Sequence, residues 1–144
     1  MNTKALNMIF KLKEWDEERE KEKFAELISK RYRIEIQLRE INERFDFLSK
    51  TEQEEQKFLS SLRLNRIYSE IEYLTQKRAD LLQILNELDK EIEAQRQVYE
   101  EAYKERKKIE QLCDKIKISI KTEREKMEEK ALTDILITRY GVLP

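Results

Sequence analysis

From Met1 to Tyr140 nothing in this chain breaks a helix by backbone geometry. Its one glycine and one proline are Gly141 and Pro144, at the very end. Sheet proteins need turns, and turns lean on Gly and Pro. Good helix formers such as Ala, Leu, Glu, Lys, Arg and Gln dominate instead. Charged residues make up 42% of the chain, a level that also occurs in disordered segments. The apolar 39% is regularly spaced, which argues for a packed, all-helical protein.

The spacing is that of a coiled coil. Steps of three and four from Phe24 reach Leu27, Arg31, Ile34, Leu38, Ile41, Phe45 and Leu48, apolar at every position but Arg31. A mean step of 3.5 residues places these side chains on one stripe of a slightly underwound helix. A second series runs Ile67, Ile71, Leu74, Arg78, Leu81, Leu85, Leu88, Ile92, Gln95, Tyr99, Ala102, Arg106, Ile109, Cys113, Ile116 and Ile120. Only Arg78, Gln95 and Arg106 interrupt it. Pairs such as Glu26–Lys30, Glu35–Arg39 and Glu40–Arg44 support the outer surface of the first helix.

The two series are out of phase. Extending the first past Leu48 leads to Arg66 and Ser69, whereas the second begins on Ile67 and Ile71. The residues from Ser49 to Lys57 are the longest stretch without an apolar side chain, and Ser60 or Ser61 can cap a new helix. The expected architecture is all-α: two long helices in an antiparallel coiled coil, as a single domain over 1–144. Helix one covers about 4–53, the turn about 54–61 and helix two about 62–139. A continuous helix with a stutter is the alternative. With the turn there, residues whose numbers sum to about 113 face each other. Leu38 then lies near Thr75, Phe24 near Asp89 and Leu6 near Lys107. Helix two is about 115 Å long at about 1.5 Å per residue, and beyond about residue 112 it lacks an intramolecular partner. The stripe Ile116, Ile120, Met127, Ala131, Ile135 and Leu136 therefore calls for another protein.

Several function classes are disfavoured. The formal net charge is -1 and the pI about 5.8, so no nucleic-acid partner is expected. A single cysteine excludes an intramolecular disulfide, and the absence of histidine argues against a metal. No cofactor is implied, since there is no Gly-rich phosphate loop. Nothing reads as a signal peptide, and no run approaches the roughly 18 apolar residues of a membrane span. The carboxylates sit on solvated helix faces without a pocket, so catalytic residues are not expected. These features fit a cytoplasmic protein without membrane insertion.

A few residues stand out. Cys113 reads as a small hydrophobe in the seam. Arg31, Arg78, Gln95 and Arg106 either snorkel from a narrow interface or control register, with Gln95 expected opposite the Glu17–Glu20 region. Trp15, alone in the charged run from Lys11 to Lys23, either meets a partner or packs on helix two. The amphipathic stretch Met1 to Leu12 could lie on a membrane surface, though packing on helix two or a protein fits better. Near the turn Phe45, Phe47, Leu48, Phe58, Leu59, Leu62, Leu64, Ile67, Tyr68 and Tyr73 exceed what one seam can cover, which suggests a binding patch.

The ends carry a resemblance. Phe10 to Lys21 (FKLKEWDEEREK), running on through Lys23 to Leu27, resembles the opening of the flagellar FliJ family. Arg106 to Leu112 (RKKIEQL), Glu128 to Leu132 (EEKAL) and Thr138-Arg-Tyr140 resemble its close, and Tyr68-Ser-Glu-Ile71 its centre. The resemblance implies a stalk component of the flagellar type III export apparatus, similar to the rotor stalk of rotary ATPases. It implies that the end bearing both termini inserts into the export ATPase hexamer. There the contact residues would be Phe10, Trp15, Met127, Ala131, Ile135, Leu136, Arg139 and Tyr140. It further implies contact with the export gate's cytoplasmic domain and with export chaperones, for which Phe45, Leu48, Tyr68 and Ile71 are the best matches. Such a protein associates peripherally with the inner-membrane export apparatus. The stalk protein of virulence-type secretion systems looks similar. A homodimeric coiled-coil scaffold and a membrane-surface adaptor also stay open.

Overall fold

A computed structural model of the protein describes residues 3–55 and 61–141. Two helices account for them: α1, Thr3–Glu55, and α2, Ser61–Tyr140. The two helices pack against each other, so the alternative of one continuous helix is not adopted. The expected turn falls largely on residues 56–60, outside the described residues, as does Ser60. α2 begins on Ser61. It ends where the sequence first permits: Gly141 adopts φ +59° and its N–H bonds the Ile137 carbonyl at 3.0 Å. That is the left-handed closure for which glycine is suited. Among the described residues no helix is long and apolar enough to cross a membrane.

The helices pack antiparallel within two compact units, one of residues 19–99 and one of residues 1–18 with 100–144. In the first, Ile41, Leu48, Leu74 and Leu81 form the core, flanked by Ile34, Leu38, Phe45, Ile67 and Ile71. Each lies on one of the two heptad series. Ile34, Leu38 and Leu85, though on the heptad series, are only half-buried, because two helices leave the flanks of a seam open to water. Of the series-breaking residues, Arg78 is exposed. Arg31 reaches across instead, its Nε donating to Asp89 Oδ1 at 2.6 Å, and also pairs with Glu35. Gln95 closes a polar layer: its Nε2 donates to the Glu20 carboxylate at 2.6 Å and to the Glu20 carbonyl at 3.1 Å.

The pairing differs from the expected arithmetic. Phe24 meets Tyr99, with ring centroids 6.3 Å apart, ten positions beyond the expected Asp89. Arg44 pairs with Glu70 and Arg31 with Asp89, so the paired numbers sum to more than 113. α1 ends on Glu55 and α2 starts on Ser61, which moves the centre of the pairing beyond the expected one, and the lean of helical side chains toward their own N-termini adds about one residue per helix. On α1 that lean points away from the turn, and on α2 it points toward it. A contact therefore forms with an α2 residue further from the turn than simple Cα counting suggests.

Leu81 is 7% exposed, so Leu81→Ala should cost about 2 kcal/mol in urea unfolding, the low end for core truncations because the interface is thin. Arg78→Ala, at an exposed position of the same series, should change stability by less than about 0.5 kcal/mol. Equal midpoints for Leu81→Ala and wild type would refute this seam. The Gln95 hydrogen bond holds the Glu20 carboxyl below its ordinary range, with lesser help from Lys23 against partial desolvation. A depressed folded-state value gives stability that is present above the unfolded carboxylate range and lost as pH falls through the folded value. Melting scans from about pH 7 to about pH 3 should therefore show a shallower acid limb for Glu20→Gln than for wild type.

Candidate functional site

The unit bearing both termini contains a short seam and a long bare segment. Leu6 and Cys113 are its buried residues, at 4% and 7% exposure. Between Leu6 and the Glu17 region the seam continues through Phe10 and Lys13, both half-buried. Arg106 Nε donates to Glu17 Oε2 at 2.6 Å and the same guanidinium pairs with Glu110. It also lies 5.2 Å from the Tyr103 ring centroid. The Glu17 hydrogen bond is the main reason Arg106 holds its proton above the ordinary arginine value.

Beyond Ile116 the packing stops. Residues 117–136 are exposed at every position. Met127 is 74% exposed, Leu132 59%, Ile135 55% and Tyr140 68%, with Ala131, Leu136 and Arg139 also exposed. Asp134, Ile135, Thr138 and Arg139 line a shallow concavity of about 420 Å³ on this segment. Side chains at 127, 131 and 135 recur every four residues, which keeps them on one face of a straight helix. The bare segment begins a turn later than the expected residue 112, since Cys113 is buried and Ile116 half-buried.

The structure separates the other residues of this end. Phe10 belongs to the seam. Trp15 is 78% exposed and does not pack on α2. It continues a stripe the sequence reading missed: Met8, Leu12 and Trp15 are all exposed on the face of α1 opposite the seam. Their four-then-three spacing is present in the sequence but straddles an apolar stretch and a charged run, which hides it.

In the other unit Leu48 is buried, and Phe45 and Ile71 pack against the core. Tyr68 is the surface member of that set, its Oη donating to Glu52 Oε1 at 2.7 Å. That bond, with the carboxylate's charge, pushes the phenol up from its usual value. Phe47, Leu62 and Tyr73 are exposed as well, while Phe58 and Leu59 lie outside the described residues. Arg44 donates twice to the Glu70 carboxylate, at 2.6 and 3.1 Å, which holds Glu70 below the usual range. Among the described residues no group of three or more His, Cys, Asp or Glu side chains is placed to hold a metal ion.

This geometry offers surfaces for protein contact, and many coiled coils offer such surfaces. Comparison with curated proteins and with solved structures returns no match. A family model does match: that of the flagellar FliJ protein, over residues 2–141. With nearly its whole length matched, the chain belongs to the flagellar FliJ family.

Proposed function

We propose that this protein is a non-catalytic stalk component of the flagellar type III export apparatus, binding the export ATPase hexamer through the unit that carries both termini. Family membership supports the export-related role. The observation that carries the finer assignment is the bare stretch of α2 from residue 117 onward, apolar at Met127, Ile135 and Leu136 and without intramolecular cover. An exposed helical stripe of this kind suits the groove or central opening of a partner. Tyr140 extends it with an aromatic anchor, and Trp15 offers another on the separate exposed face of α1, a residue type enriched where binding energy concentrates. Arg139 adds charge at its edge. Phe10 acts by fixing α1 in the short seam from which the bare segment projects.

In the same reading, the other unit meets the export gate's cytoplasmic domain and export chaperones. Tyr68 makes the contact, while Phe45, Leu48 and Ile71 hold the surface from beneath. The protein works peripherally at the membrane-bound apparatus, in the cytoplasm, without inserting and without a nucleic-acid partner or cofactor.

Deleting residues 126–144 removes no buried residue among those described, so the coil should keep its melting temperature. The truncated protein should lose capture of the ATPase ring and its stimulation. Met127→Ser with Ile135→Ser in the full chain should weaken capture on the order of tenfold. Full capture by both variants would reject this assignment of the terminal unit. Concentration-independent light scattering should show a monomer, whereas a dimer dissociated by the same substitutions would favour the scaffold reading.

A further inference from the structure

The unit of residues 19–99 carries a second feature that the seam and the family assignment leave unused. Off the seam, α1 and α2 together enclose a concavity of about 290 Å³. Leu48 and Ile67 lie at its apolar base and the ring of Phe47, 57% exposed, forms a wall. Among the described residues its charged lining is Arg44, Arg63, Arg66 and the carboxylate of Glu70. Arg44 is engaged by that carboxylate in a two-pronged contact and lies 5.0 Å from the Phe47 centroid. The chain as a whole is almost neutral, at -1, so arginines outnumbering carboxylates among the described lining residues is a local feature.

The geometry points to a docking groove for an acidic peptide segment of a partner protein, one that places an apolar side chain against Phe47 and Ile67 and a carboxylate on Arg66. Arginine forks match carboxylates in two-pronged geometry, as Arg44 and Glu70 already do here. Arg63 and Arg66 are three residues apart on α2 and so share a face. The volume suits one large side chain. A bare phosphate or lipid headgroup would gain nothing from the apolar base, and nucleic acid would need a longer basic track. From the proposed function this inference takes only that this unit meets a protein. It is independent of which end binds the ATPase.

The test uses the full-length protein and fluorescein-labelled synthetic peptides, read by anisotropy. One probe has glutamates flanking a Phe-Leu pair, and its control has lysines in their place. The acidic probe should bind, more weakly as salt rises, and the lysine control should not. Arg66→Glu and Phe47→Ala, both at exposed positions, should each weaken binding on the order of tenfold with the helical circular dichroism unchanged. Arg124→Glu on the bare segment should leave it unaltered. Equal loss with Arg124→Glu would reduce the effect to general charge and overturn the proposal. So would absent peptide binding, or binding only to phosphatidylglycerol vesicles. A separate pull-down with the export gate domain tells the two readings apart. Peptide binding without gate capture sinks only the gate assignment, and gate capture without peptide binding sinks the groove.

Discussion

An interface between two helices has no centre in which a side chain can be surrounded on all sides. Each helix contributes one stripe, and the stripe faces one partner. This constraint accounts for most of what the structure shows. The best-covered residues, Leu48, Leu6 and Ile41, keep 3 to 5% of their surface, and their neighbours on the same stripe remain half-exposed. A chain with 39% apolar residues then has more apolar side chains than its seam can hold. The excess is on the surface by necessity, and its clustering carries the information about partners.

The seam from Phe24 to Leu48 and from Ile67 to Ile116 was legible because one residue type recurs at one period over many turns. Where three successive seam positions of α1 are charged, at Lys13, Glu17 and Glu20, the apolar period vanishes, and the link back to Phe10 and Leu6 went unread. The series nevertheless keeps its steps of three and four there. The polar match of Gln95 with the Glu17–Glu20 region was readable from the rough pairing, since it needed only a few residues' precision.

The sites were less legible, for a different reason. The bare end of α2 followed from counting residues against the turn, and a coarse count sufficed. The groove joins Arg44 and Phe47 to Arg63 and Arg66 across the hairpin. Those residues are remote along the chain, and which of them meet depends on register to within a single turn of helix. The contact pairs, from Arg44–Glu70 to Phe24–Tyr99, scatter about a simple mirror count by more than that. Burial likewise divides the near-turn cluster, with Leu48 beneath and Tyr68 and Phe47 outside, in a way that composition does not reveal.

Register itself needs a cause, because no glycine or proline holds the turn in place. In such a hairpin the turn can migrate along the chain. A migration of about three to four residues shifts the pairing by one heptad and returns apolar side chains to the seam. It also alters the uncovered length of α2 by about 10 Å, at about 1.5 Å per residue. The apolar layers resist this weakly, since leucine accepts isoleucine as readily as leucine. The polar layers resist it more strongly. In the shifted pairing Gln95 loses the Glu20 carboxylate, and Arg106, only 19% exposed, loses Glu17. A half-buried charge left without its partner costs more than the pair contributes when formed. The Glu17–Arg106 pair thus adds little net stability over an apolar layer, yet it selects the pairing that leaves residues 117–136 of α2 uncovered.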